Sequence, residues 1–234
     1  MEDPAPRPTL LRALSGLGRV LTDRAARYEL LLRHGLLRGG FQSSSETSRN
    51  RYPRIFAFVQ AQLGADSARR ILSFGCAGGD EVFTLRRYFP RAAIRGIDIN
   101  PGNIAACRRL APPDDPGLSF EAASSTAGEP ANRYDAIFCM AVLRHGSLTL
   151  DTPRCTPLLD FADFASTVAD FHRCLKPGGL LAIRYSNFRL CDAPAAAGFE
   201  PVYRGVAHAP IPLYGPDNAL LPESSYRDCV FRKL

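Results

Sequence analysis

The chain has 234 residues, 46% hydrophobic and 22% charged, a balance that fits a globular domain and argues against wholesale disorder or a collagen-like fibre. The formal net charge is +6, but all lysine is at Lys176 and Lys233, and the remaining basic residues are arginines scattered without a run of four. Scattered arginine reads as compositional bias rather than a phosphate-binding stripe, so nucleic acid is not the expected partner.

Met1 to Thr9 carries Glu2, Asp3 and three prolines, without a basic segment followed by an apolar core, so no secretory signal is read there. No apolar run approaches the roughly 18 residues of a membrane span. The seven cysteines, Cys76, Cys107, Cys139, Cys155, Cys174, Cys191 and Cys229, form no CxxC pair. Their odd number and dispersal predict reduced thiols, a cytoplasmic protein and no metal site.

Leu10, Leu14, Leu17 and Leu21 share one helical face, which predicts a helix over 10–38 with Thr9 as its N-cap and Gly39-Gly40 as its end. Residues 42–51 are polar and read as a loop or lid, and residues 54–63 as a second helix. From residue 70 the rhythm changes to alternating strands and helices. Strands are expected at 71–74, 93–97, 118–121, 134–139, 180–185, 199–204 and 228–232. Helices are expected at 80–88, 101–110 and 159–175, the last ended by Pro177-Gly178-Gly179. Such alternation predicts βαβ units and a mostly parallel sheet. Residues 1–60 are thus read as a helical extension with a possible lid, and 61–234 as the main domain.

The strongest motif is ILSFGCAGGDEVFTL at 71–85, a strand, the small-residue turn Gly75, Cys76, Ala77, Gly78 and Gly79, then a helix opening with Asp80 and Glu81. Small residues admit a ligand close to the backbone, and a helix N-terminus offers amides to a carboxylate. The dinucleotide pattern G-x-G-x-x-G would need glycine at 75, 77 and 80, but Ala77 and Asp80 stand at the last two. Two acidic residues at the mouth also oppose a pyrophosphate, whereas a cofactor carrying sulfonium and ammonium tolerates them. About twenty residues on, Asp98 closes the second strand, where an acidic side chain can accept hydrogen bonds from ribose hydroxyls. Alternatively, Asp98 caps the helix that begins at Pro101.

The turn at Gly75–Gly79, the acidic strand end at Asp98, YDAIFC at 134–139 and LKPGGLLAI at 175–183 together resemble the class I S-adenosylmethionine-dependent methyltransferases, over roughly residues 70–234. The resemblance implies a Rossmann-like α/β fold with a seven-stranded sheet of order 3-2-1-4-5-7-6, its last strand antiparallel. It further implies that the 75–79 turn holds the methionine part of the cofactor, Asp98 the ribose, and Ile99 the adenine face, with Cys139 and Met140 lining the transfer side. Many relatives carry an Asp after the third strand that binds the adenine amino group; here Ser124 or Ser125 stands nearest that place. The cofactor half, GCAGGDE followed by IFCMAVL, is also similar to the chemotaxis receptor glutamate methyltransferases, although Ala141 replaces their Asn.

Methyl transfer chiefly needs alignment, with a base required only where the acceptor must lose a proton. His145, after the fourth strand, is the candidate base. His208 and Tyr214 are candidates for the acceptor pocket, His172 for helix packing, and His34 with Arg49–Tyr52 for a lid. The expectation is methyl transfer from S-adenosyl-L-methionine to an O- or N-nucleophile of a small molecule or glycan intermediate. The alternatives are an RNA or protein carboxylate methyltransferase, and a non-catalytic module that keeps the fold and cofactor.

Overall fold

The computed structural model describes residue 41 and residues 47–64 and 68–234. The helix expected over 10–38, its cap Thr9, His34 and residues 42–46 of the expected loop therefore lie outside the described residues. The elements in chain order are α1 (Pro53–Leu63), β1 (Arg70–Phe74), α2 (Asp80–Tyr88), β2 (Ala93–Asp98), α3 (Pro101–Leu110), β3 (Leu118–Ala122), β4 (Tyr134–Met140), α4 (Phe161–Cys174), β5 (Leu175–Arg184), β6 (Phe199–Arg204) and β7 (Asp228–Lys233).

The seven strands form one sheet in the order β3-β2-β1-β4-β5-β7-β6, with β7 antiparallel to both β5 and β6. This is the order the family resemblance implies. β4 lies at the centre and is buried along its whole length, which is why its sequence is a continuous apolar run rather than an alternation. Its residues alternate between faces: Ile137 and Cys139 join a cluster with Phe164, Val168 and Phe171 of α4. Ala136, Phe138 and Met140 join the opposite cluster with Ile55, Phe56 and Val59 of α1, Val82 and Leu85 of α2, and Ile104 of α3. Helix α1 is thus part of the same core as the sheet.

The helices begin where local chemistry lets them. The Asn100 side chain accepts the Gly102 N–H at 2.9 Å and Pro101 opens α3, while the Asp160 side chain accepts the Ala162 N–H at 2.9 Å to open α4. One boundary differs from the sequence expectation. Pro177-Gly178-Gly179 does not end α4; the helix stops at Cys174, and residues 175–179 already belong to β5. Leu175 pairs with Tyr134, and the register then shifts so that Leu180 pairs with Ala136. A bulge, with Gly178 at φ 75°, absorbs the Pro-Gly-Gly segment inside the strand. Lys176, within it, reaches Asp135 at 2.8 Å.

Among the described residues, no helix is long and apolar enough to cross a membrane. Nor do three or more His, Cys, Asp or Glu side chains there group as a metal site.

Candidate functional site

Strands β1, β2 and β4 end side by side, and the Gly75–Gly79 turn crosses that edge into α2. The backbone fixes the turn: the Gly75 and Cys76 N–H groups both donate to the Ile97 carbonyl, at 2.8 and 3.0 Å, and Gly79 N–H donates to Cys76 O at 2.9 Å. Gly75, Ala77 and Gly79 adopt positive φ of 72°, 46° and 91°. Glycine at 75 is also a packing requirement, since a Cβ there would lie 2.5 Å from a methyl of Val142, on the loop that follows β4. At Gly78 a Cβ would meet only a Thr47 methyl, at 3.8 Å. The turn is therefore tight against the protein at Gly75 and open at Gly78, the shape needed for close approach of a ligand.

Asp98 is buried, and its carboxylate is the hub of this region. One oxygen accepts the Ala77 N–H at 2.9 Å, and the other accepts the Asn100 N–H at 2.8 Å and the Asn103 side-chain amide at 3.1 Å. Asp98 thus ties the turn to β2 and α3, while Asn100, rather than Asp98, caps α3. Ile99 beside it is half-buried, and Ser124 and Ser125 lie exposed just beyond β3. Cys76 is buried, and a hydrogen bond with the Cys107 side chain and burial push its thiol well above the usual range, which removes it as a nucleophile.

Acidic residues at the mouth of the turn carry less negative potential than their sequence implies. Asp80 faces Arg49 at 3.6 Å. Burial pushes the Glu81 carboxyl up to about 7, against the opposing pull of the Ser73 hydroxyl, which donates to it at 2.7 Å. The segment before α1 crosses this same edge. Asn50 N–H donates to the Thr84 hydroxyl at 3.0 Å, the Tyr88 hydroxyl donates to the Asn50 side chain at 3.1 Å, and the Arg51 guanidinium lies 5.6 Å from the centre of the Tyr52 ring. Tyr52 packs in turn on Tyr185, just past β5, with ring centres 6.0 Å apart.

The loop after β4 supplies the remaining polar groups. Asn187 accepts the His145 N–H at 2.8 Å, and His145 Nδ1 accepts the Ser147 N–H at 3.3 Å. Burial lowers the His145 pKa, so the ring is held neutral, and accepting at Nδ1 places its proton on Nε2. In that tautomer Nε2 is a donor, which suits orienting an acceptor better than removing its proton. Next to it, Arg144 Nε is buried without a hydrogen-bond partner among the described residues, as is the Tyr52 hydroxyl. Charges that act on that hydroxyl come from Arg51, Glu81 and Arg144, and burial raises its pKa to about 12.

Other residues singled out in the sequence fall elsewhere. Cys139 is fully buried on the α4 side, and Met140 is buried on the opposite face, so both support the strand end from beneath. Tyr214 is fully buried and its hydroxyl donates to Thr152 O at 3.1 Å. His172 packs against Phe199 with ring centres 5.2 Å apart, as its helical position implied. His208 stacks edge-on to Tyr185 at 5.0 Å, close to the site. Arg144 was missed from sequence; its place directly before His145 was the available signal.

Residues 72–181 match the family model described as a methyltransferase domain. A trans-aconitate 2-methyltransferase of Methylobacterium nodulans is 31% identical over 131 residues, 56% of this chain and 43% of that protein. A trans-aconitate 2-methyltransferase of Methylobacterium radiotolerans is 26% identical over 152 residues, 62% of this chain and 51% of that protein. The match therefore spans about half the length of these relatives. Among solved structures, Haemonchus contortus phosphoethanolamine N-methyltransferase 2 with S-adenosyl-L-methionine is similar at TM-score 0.44 and 16% identity, covering 72% of this chain and 34% of that one.

Proposed function

We propose that the chain is a class I S-adenosylmethionine-dependent methyltransferase that transfers a methyl group to an O- or N-nucleophile of a small molecule. The observation that carries this reading is the Gly75–Gly79 turn, pinned by Asp98 and open at Gly78. When bound, S-adenosylmethionine supplies a sulfonium methyl that passes to a nucleophile, the C–S electron pair remaining on sulfur as the thioether of S-adenosylhomocysteine.

In this reading the turn receives the methionine part, and Asp98 reads the ribose from a position already fixed by Ala77 and Asn100. Ile99 offers an apolar face to the adenine, with Ser124 nearest its amino group. Cys139 and Met140 hold the floor on which the transfer side rests, and His145 orients the acceptor through Nε2–H. The trans-aconitate relatives favour a carboxylate oxygen as the nucleophile. Such a group needs no base near neutral pH, in keeping with a donor rather than a base at His145.

Calorimetric titration with S-adenosylhomocysteine, with NAD in parallel, tests the reading. Micromolar binding of the former alone is expected, and Asp98→Ala abolishes it while lowering stability by about 2 kcal/mol, because two backbone amides lose their acceptor. Unchanged affinity in that variant would remove Asp98 from the ribose site. No binding by the folded parent chain would return the fold to a non-catalytic module.

A further inference from the structure

Beside the turn, two polar groups have no hydrogen-bond partner among the described residues. Natural proteins pair almost all buried donors, and leaving one unpaired costs about 1–3 kcal/mol. Yet, among the described residues, the Tyr52 hydroxyl and Arg144 Nε are both buried without a hydrogen-bond partner, on segments that are distant in sequence. Geometry brings the two segments together: Tyr52 packs on Tyr185, and two residues further on the Asn187 N–H donates to the carbonyl of Leu143, next to Arg144, at 2.9 Å. The cluster sits at the β4–β5 edge: Tyr52 rests on Tyr185 just past β5, and Arg144 lies between Val142, which packs on Gly75, and His145, which Asn187 holds.

We propose that Tyr52 and Arg144 receive a carboxylate of the methyl acceptor, which makes a small organic acid the substrate class. The assignment rests on the methyltransferase reading above and adds to it the residues that select the acceptor. A guanidinium N–H and a phenol O–H are both donors here, and a carboxylate is acceptor-only when ionised, so each satisfies the other's unmet need. An amine cation would instead meet Arg51 and Arg144, both positive. The tyrosine rings of Tyr52 and Tyr185 supply an apolar wall for the carbon skeleton. Glu81, in the same cluster, does not oppose the anion in its protonated form, and a docked carboxylate favours that form further.

The same two donors could instead hold the α-carboxylate of the cofactor, and the test separates the two sources. The full chain is saturated with S-adenosylhomocysteine and titrated with acetate, succinate, tricarballylate and trans-aconitate, then with the neutral methyl esters of the last two. At least one acid is expected to bind, and to bind about tenfold or more tighter than its ester, the effect of one charge-assisted hydrogen bond. Arg144→Gln weakens that acid by about tenfold, Tyr52→Phe by a smaller factor, and Arg144→Lys restores part of the loss, with S-adenosylhomocysteine affinity unchanged in all three. Tyr52→Phe, which removes a single unpaired oxygen, carries the test if Arg144→Gln fails to fold. Loss of S-adenosylhomocysteine affinity with acid binding intact would assign the pair to the cofactor and overturn the proposal. So would a chain that binds S-adenosylhomocysteine but prefers no acid to its ester. A folded parent chain that binds no S-adenosylhomocysteine would defeat the underlying methyltransferase reading instead.

Discussion

The two halves of the site differ in how their polar groups are satisfied. Around Gly75–Gly79 the main polar groups find partners within the protein: backbone amides meet the Ile97 carbonyl, and Asp98 is shared among Ala77, Asn100 and Asn103. Among the described residues the Tyr52 hydroxyl and Arg144 Nε have none, and burial raises the Glu81 carboxyl nearby to about 7. The first half is shaped before any ligand arrives, and substitutions there should damage folding as well as binding. The second half carries destabilising groups, and substitutions there should leave stability intact or raise it.

The strongest way to break this contrast is at Gly75. Gly75→Ala places a side chain at φ 72° and against Val142, so a loss of about 3 kcal/mol is expected from left-handed strain and overpacking together. Urea unfolding measures it. Adding Val142→Ala should return the overpacking part and leave the backbone strain. Recovery to full parental stability would mean that φ costs nothing here.

A comparable effect of opposite sense is expected at Glu81. Its folded pKa, about 7, lies above the ordinary 4.5, so below pH 4.5 both folded and unfolded chains hold the proton and nothing is lost. As pH rises from 4.5 to 7 the unfolded chain releases it first, and stability falls. Relative to Glu81→Gln, which still accepts from Ser73, the parent should lose about 3 kcal/mol across that window and no more above it. Parallel stability curves for the two proteins between pH 4 and 8 would show that the carboxyl is not raised.

The smallest effect is expected at Tyr52. Removing its hydroxyl by Tyr52→Phe should raise stability by up to about 1 kcal/mol, because a buried unpaired group disappears. A fall in the thermal midpoint would reveal a partner for that oxygen and blur the distinction between the halves.

Much of the first half was legible in the sequence, and little of the second. The bounds of α2 and α3 follow from local chemistry, an acidic first turn after Gly79 and Pro101 opening α3, although the cap proved to be Asn100 rather than Asp98. The strand order followed from the motifs, read through the resemblance. The start of β5 was missed because Pro-Gly-Gly signals a break, whereas the pairing of Leu175 with Tyr134 is a tertiary matter. Tyr214 was a candidate for the acceptor pocket from its proline-rich segment, and only the fold shows its ring enclosed with its hydroxyl on the Thr152 carbonyl. The Tyr52–Arg144 cluster was invisible because being unpaired depends on everything that surrounds a group, and pattern alone does not supply that.

Val142 packs where a side chain at Gly75 would otherwise lie, and Arg144 and His145 come two and three residues after it. The loop after β4, which we propose faces the acceptor, is therefore held against the Gly75–Gly79 turn at Val142. Variation at 142 is held in check by shape, while positions 144 and 145 can drift with the turn undisturbed. A randomised library at those two positions should keep its capacity for S-adenosylhomocysteine while ranging widely over acids, and a new specificity could arise on this scaffold through a pair of neighbouring codons.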